Sequence, residues 1–206
     1  GWLPPHDPAW SAQQISEIFQ QDQLRIRIGI TILALACVLW WPFSAAIAMQ
    51  IRRIEGRNHV LATTQLMTSS GTVFAVMIPC YIWLAMWYRP ELTAPDTMQL
   101  RNDLSWLTFV GMYPPALIQN LAIGTAILSD PRPDPIFPRW VGFANFWLAV
   151  CYLVGALLPF FKTGPFAWNG VFGFWLAAVS FFGWIIMMWW ATLRAIRLQE
   201  ETTESR

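Results

Sequence analysis

The chain has 206 residues, of which 56% are apolar and only 12% are charged, and its formal net charge is +1. Soluble domains are about 25% charged, so this composition excludes an ordinary soluble protein. Nucleic-acid binding would require a clustered basic face, which the composition does not indicate. The class that remains is an integral membrane protein.

The N-terminal segment, residues 1–27, is polar and rich in proline, and it lacks the basic and then apolar regions of a cleavable signal peptide. Ser11 and Gln14 have the spacing of a capping box. Ile15, Ile18 and Phe19 share one face of the helix that this box would start. We expect an amphipathic helix that lies at the outer membrane surface. A plain extension of the first transmembrane helix is the alternative.

Five long runs without a charged residue follow this segment. A membrane-spanning helix needs about 20 mostly apolar residues, and each run is long enough to cross once. The sequence predicts an all-α bundle of five transmembrane helices over residues 28–198 and a polar tail over 199–206. The predicted spans are residues 28–50, 60–88, 104–129, 140–161 and 171–193.

The basic residues predict the orientation of these spans, since basic side chains resist translocation. The second, fourth and sixth segments outside the spans hold Arg52, Arg53, Arg57, Arg132, Arg139, Arg194, Arg197 and Arg206. The other three segments hold Arg25, Arg27, Arg89, Arg101 and Lys162. The larger group predicts the cytoplasmic side, with the N-terminus outside and the C-terminus inside.

Polar side chains concentrate in the second predicted span. Gln65, Thr68, Ser69 and Thr72 recur there at helical spacing, and Gln119 and Asn120 in the third span could face the same place. Small and hydroxyl residues allow transmembrane helices to approach closely and to hydrogen-bond. One interpretation is a buried central helix, and the other is the lining of a polar pocket or path. Pro114 and Pro115 predict a bend in the third span.

Ionisable residues inside a membrane are expensive and usually have a function, but the five runs contain only His59, at the start of the second span. His6, the other histidine, lies in the N-terminal segment on the predicted opposite side. The two cannot bind one metal ion together. We therefore predict no catalytic residue and no metal site.

Aromatic residues are unusually frequent, with 14 Trp and 14 Phe. Five of them in the fourth and fifth predicted spans are candidates for holding a flat lipophile, such as a lipid, quinone, sterol or carotenoid: Trp147, Phe174, Trp175, Phe181 and Phe182. The same aromatic flank could pack against helices of another subunit. The sequence does not identify the ligand.

Three loop segments resemble those of uncharacterised bacterial multi-pass membrane proteins. They are Gln50-Ile51-Arg52-Arg53-Ile54-Glu55-Gly56, Phe137-Pro138-Arg139-Trp140-Val141-Gly142 and the stretch from Lys162 to Gly170. The resemblance implies a location in a bacterial inner membrane. It implies no activity and no site residues.

Three classes of function are consistent with these features. The first is a non-catalytic accessory or structural subunit of a larger membrane complex, in contact with membrane lipids and other subunits and holding a lipophilic molecule. The second is a small transporter or channel that uses the polar second helix. An enzyme that modifies lipids is the least supported class.

Overall fold

The structure, a computed structural model, describes residues 4–21, 23–88 and 93–204, and for 202–204 the backbone alone. Every regular element that these residues form is a helix. The α-helices are α1 Ala12–Gln21, α2 Gln23–Ala36, α3 Trp40–Glu55, α4 Val60–Tyr88, α5 Pro95–Gly111, α6 Pro114–Leu128, α7 Arg139–Tyr152 and α8 Leu176–Glu204. Cys37–Leu39 and Leu153–Phe160 are 3₁₀ turns, and Val171–Trp175 is a π-helical turn.

Among the described residues, four helical stretches are long and apolar enough to cross a membrane. They are Gln23–Glu55, Val60–Tyr88, Arg139–Phe160 and Val171–Glu201, with 33, 29, 22 and 31 residues. About 20 residues suffice for the hydrocarbon core of a bilayer. The chain is therefore an all-helical, multi-pass membrane protein.

The third predicted span, residues 104–129, is two helices in the structure. Helix α5 ends at Gly111 and α6 begins at Pro114. Prolines have no N–H to donate, and Pro114 disfavours a helical conformation at the residue before it. The sequence predicted a bend at this point, whereas the helix breaks. Neither half is among the four stretches that are long and apolar enough to cross alone, so the count of five spans stays a prediction.

The chain divides into two compact units. The first contains Gly1–Val38, Thr72–Tyr113 and Val154–Ala177. In its core, Phe19 of α1 packs on Trp87 of α4 at 4.5 Å between ring centroids, and Trp87 Nε1 donates to the Phe19 carbonyl at 2.7 Å. Ser11 and Gln14 cap α1 reciprocally, with N···O distances of 2.9 and 3.4 Å. Helix α1 buries Ile15 and Phe19 in this core, and its predicted place at the membrane surface stays a prediction.

The second unit contains Leu39–Gly71, Pro114–Leu153 and Ala178–Arg206. Its apolar core draws on five helices, through Ile47, Ala62, Ile123, Val141 and Met188. Small residues permit close contact between them, because a Cβ atom on Gly124 of α6 would lie 3.0 Å from the carbonyl oxygen of Gly142 in α7. The candidate site residues that lie closest together belong mainly to this unit.

Candidate functional site

The five predicted aromatic ligand residues are divided between the two units. Phe174 and Trp175 belong to the first unit, whereas Trp147, Phe181 and Phe182 belong to the second. Phe174 and Phe181 are half-buried, and Phe181 stacks on Trp40 of α3 with 5.1 Å between centroids. Trp147, Trp175 and Phe182 are 72%, 47% and 63% exposed. Their predicted role in holding a lipophile stays a prediction.

In the second unit, helices α7 and α8 carry exposed aromatic residues in addition to the predicted Trp147 and Phe182. The Trp140 ring lies 5.8 Å from that of Trp190, and Trp184 donates a hydrogen bond to Asn145. These two contacts show that α7 and α8 are antiparallel. This direction places Trp147 at the level of Phe182. We name the exposed aromatic side chains the α7–α8 aromatic face: Trp140, Phe143, Trp147, Phe182, Trp189 and Trp190.

The predicted polar interior is buried. Gln65, Ser69, Gln119 and Asn120, all of the second unit, have at most 2% of their surface exposed. Thr72 is also buried, but it belongs to the first unit. Thr68 and Ser69 donate their hydroxyl protons to carbonyls of their own helix, at 2.7 Å from Thr64 and Leu66 respectively. Thr68 is only half-buried.

Contacts between α4 and α6 align these polar residues. A Cβ on Gly71 would lie 2.7 Å from Cβ of Pro115, while Ala62 shares a core cluster with Ile123. The two helices therefore run antiparallel in this unit. At 1.5 Å of rise per residue, Gln65 lies about 9 Å from the Gly71 contact, and the amides of residues 119 and 120 about 6–8 Å from the same point. Gln65, Gln119 and Asn120 are consequently at nearly the same level.

Within the part of the chain that the structure describes, the Gln65 amide is buried without a hydrogen-bond partner at either its oxygen or its nitrogen. The Asn120 amide nitrogen donates to the Ala116 carbonyl at 2.8 Å, whereas its Oδ1 has no partner among the described residues. A buried polar group left unpaired costs about 1–3 kcal/mol. The unpaired atoms of these two amides are hydrogen-bonding groups that remain available within the polar interior.

Asn145 of α7 completes a second polar contact that the sequence did not single out. It is fully buried, and its Oδ1 accepts a hydrogen bond from Trp184 Nε1 at 2.9 Å. Its Nδ2 donates to the Val141 carbonyl at 2.8 Å and approaches Met188 Sδ at 3.6 Å. The sequence could have indicated this residue, because Asn145 is the one carboxamide inside the apolar run of residues 140–161. Its contacts fix α8 against α7 and so hold the α7–α8 aromatic face in place.

The loop between α6 and α7 is organised by Asp130, which is only 1% exposed. Its carboxylate accepts hydrogen bonds from the backbone N–H groups of Arg132 and Ile136, at 3.2 and 3.0 Å, and forms an ion pair with the Arg132 guanidinium at 3.3 Å. Sequence reasoning used the nearby arginines only for orientation. The signal that it missed was an aspartate at a helix end followed by four closely spaced prolines.

Four arginines lie around this loop, and we name them the arginine cluster: Arg53, Arg132, Arg139 and Arg194. Arg132 donates to the Arg53 carbonyl, and Arg139 donates to the Asp130 carbonyl at 3.5 Å. Arg194 of α8 donates to the Ile136 carbonyl at 3.4 Å. The cluster thus joins the C-terminal end of α3 and the second half of α8 to the α6–α7 loop.

In the first unit, His6 is enclosed by aromatic rings. Its ring centroid lies 5.4, 5.9 and 6.1 Å from those of Trp10, Trp106 and Trp168. The Asn102 amide nitrogen is 2.9 Å from His6 Nε2. Burial lowers the pKa of His6 to about 4, while the negative charge of Asp7 opposes this shift. His6 is therefore neutral at pH 7 and anchors the N-terminal segment.

His59, the other histidine, is exposed beside the start of α4, where its carbonyl accepts a hydrogen bond from Thr63 at 2.9 Å. Among the described residues, no group of three or more His, Cys, Asp or Glu side chains is placed to bind a metal ion. The candidate sites are thus a polar interior, an aromatic face and a basic loop. No family model matches the chain, and no curated protein or solved structure matches it significantly.

Proposed function

We propose that this protein is a non-catalytic accessory or structural subunit of a larger complex in a bacterial inner membrane. It meets its partner subunit, or a lipophilic molecule held between the two, through the α7–α8 aromatic face. The observation that carries the proposal is the exposure of six aromatic side chains on two adjacent, antiparallel helices.

Exposure to lipid alone does not account for the position of Trp147. Tryptophan is enriched at the membrane–water interface, which is where the ends of a span lie. Trp147 instead lies eight residues into the 22-residue stretch Arg139–Phe160, at the level of Phe182. Aromatic side chains contribute large contact areas and often anchor interfaces. A partner chain or a carbonyl-bearing lipophile would also supply an acceptor for the indole N–H.

The proposed topology has five crossings, with the N-terminus outside and the C-terminus in the cytoplasm. The α5–α6 pair would supply the third crossing. Seven described arginines lie in the second, fourth and sixth connecting segments, as the positive-inside rule requires of a cytoplasmic side. Arg89 and Arg206 lie outside the residues described in full.

The test is gentle solubilisation from native membranes, followed by size-exclusion chromatography and mass spectrometry. Wild type should retain a partner chain or a lipophile. The double variant Trp147→Ala, Phe182→Ala should lose it, because anchor residues each contribute about 2 kcal/mol or more to binding. A matched control is Tyr81→Ala, Phe160→Ala, which removes two other aromatic side chains that are 60% and 78% exposed. A wild-type monomer that carries only bulk phospholipid would contradict the proposal.

A small transporter or channel is the second candidate, and the buried amide of Gln65 favours it. An unpaired carboxamide at the level of Gln119 and Asn120 is able to bind a polar solute within a helical bundle. Under this alternative, Gln65→Leu should abolish solute flux in reconstituted vesicles and leave partner retention unchanged. An enzyme that modifies lipids has no comparable observation in its favour.

A further inference from the structure

The arginine cluster concentrates positive charge around a single buried carboxylate. The described residues place four guanidinium groups along the α6–α7 loop, and Asp130 forms the ion pair that neutralises one of them. The other contacts of these arginines include backbone carbonyls and the Gln50 amide, which carry no net charge. A local excess of positive charge therefore remains.

The neighbouring acidic side chains reduce this excess without removing it, because Asp130, Glu55 and Asp134 are three carboxylates against four guanidinium groups. Both carboxylate oxygens of Glu55 accept hydrogen bonds at the start of α4, from the N–H groups of Leu61 and Ala62 at 2.8 Å each. Asp134, between Arg132 and Arg139 in the loop, is exposed. A guanidinium has five N–H donors in a planar fork that matches phosphate geometry. The cluster is thus suited to an anion with several oxygen acceptors.

The position of the cluster indicates where that anion comes from. Arg53 lies two residues before the end of the stretch Gln23–Glu55, and Arg139 is the first residue of Arg139–Phe160. Both are therefore expected at the depth of lipid headgroups. Trp190 precedes Arg194 by one turn on α8, and it contacts Trp140, the neighbour of Arg139. This aromatic pair offers an apolar surface for the glycerol and upper acyl chain.

We propose that the arginine cluster binds the phosphate of an anionic phospholipid, with the headgroup against Arg53, Arg139 and Arg194 and the acyl region against Trp140 and Trp190. Asp130 positions Arg132 and the loop rather than contacting the lipid. The site shares Trp140 and Trp190 with the α7–α8 aromatic face, but Trp147 and Phe182, the residues that test the partner interface, take no part in it.

The experiment measures the thermal unfolding of detergent-purified protein with short-chain phosphatidylglycerol, phosphatidylcholine of the same chain length, or inorganic phosphate at matched ionic strength. Phosphatidylglycerol should raise the melting temperature in a saturable way, and the other two additives should not. Arg194→Gln should weaken phosphatidylglycerol binding by about tenfold, the effect of one charge-assisted hydrogen bond. Arg197→Gln, an equal change of charge less than one turn away on α8 at an exposed position, should bind like wild type.

Arg139→Gln, at an exposed position, provides a second variant if Arg194→Gln does not fold, and it should weaken binding in the same direction. Equal stabilisation by phosphatidylcholine and phosphatidylglycerol would overturn the proposal. Equal losses in Arg194→Gln and Arg197→Gln would also overturn it, because they would show a diffuse charge effect. Stabilisation by inorganic phosphate equal to that by phosphatidylglycerol would replace the lipid with free phosphate as the ligand.

Discussion

Replacement of Gly71 by alanine should destabilise the protein through a steric clash between α4 and α6. A Cβ atom at this position would lie 2.7 Å from Cβ and 2.8 Å from Cγ of Pro115. Ordinary carbon–carbon contacts are about 3.5–4.0 Å, so the helices would have to separate by several tenths of an ångström or more. The proline ring cannot move aside by changing rotamer, because it is part of the backbone of α6.

The magnitude follows from two opposing terms. Overpacking of a tightly packed contact costs about 1–3 kcal/mol, whereas glycine to alanine in a helix contributes about 1 kcal/mol of stability. Gly183→Ala in α8 is the matched control, since a Cβ there would meet nothing within 4 Å. The control should be neutral or stabilising. The two variants should therefore differ by about 2 kcal/mol, or roughly 4–8 °C in melting temperature for a chain of this size.

The assay is thermal unfolding in detergent, followed by intrinsic fluorescence or by loss of monodisperse protein. Pro115→Gly removes both ring carbons near Gly71, so Gly71→Ala should cost less in that background than in wild type. Equal melting temperatures for Gly71→Ala and Gly183→Ala would refute the close approach of α4 to α6. They would also remove the reason for placing Gln65 at the level of Gln119.

Three further contacts give predictions of the same kind, and the topology gives one more. Ser69→Leu should cost about 1–3 kcal/mol of stability by overpacking, because Ser69 is 0% exposed. Met67→Leu is the control, at a residue that is 70% exposed, and it should have no effect. An unchanged melting temperature for Ser69→Leu would mean that this face of α4 meets lipid. Asn145→Leu should cost about 1–2 kcal/mol by leaving the Trp184 indole N–H without its acceptor, and a double-mutant cycle with Trp184→Phe should show coupling, whose absence would assign the loss to packing alone. Burial lowers the pKa of His6 from 6.5 to about 4, so the unfolded chain binds more protons than the folded chain between these pH values. His6 therefore contributes about 3 kcal/mol to stability above pH 6.5, and this contribution is lost as the pH falls towards 4. Limited proteolysis of the N-terminal segment at a series of pH values should show this loss, and His6→Asn should make the proteolysis rate less dependent on pH. Reporter fusions after Arg57, Asp134 and Glu201 should report the cytoplasm and a fusion near Pro95 the opposite side, and the same side for Glu201 and Pro95 would exclude five crossings.

Local features of the chain were enough to predict its class and several helix boundaries. The uncharged run that predicted a span at 60–88 coincides with α4, Val60–Tyr88. The capping pair Ser11 and Gln14 was also readable, because the two residues are neighbours in sequence. Transfer of apolar side chains into lipid and the capping of a helix both depend on short segments, so one sequence contains the necessary information.

The third run shows where local information became insufficient. Pro114 and Pro115 predicted a bend, since each removes a backbone donor. Whether the chain bends or breaks depends on what stabilises the freed backbone groups, and that is decided by packing. In the structure, Tyr113 donates its N–H to the Gly111 carbonyl at 2.9 Å and Pro115 packs at Gly71. These contacts stabilise an interruption between α5 and α6 rather than a bend in one continuous helix.

The composition and spacing of the residues thus determined that the chain is helical, spans a membrane and has a polar face on its second span. Only the tertiary structure decided that Phe181 packs on Trp40 while its neighbour Phe182 faces outward. It also brought together Arg53, the 130–139 loop and Arg194, which are far apart in the chain. Adjacent helical residues point about 100° apart, and distant arginines meet only through helix packing. The pairing of helix faces is therefore the physical information that no single segment contains.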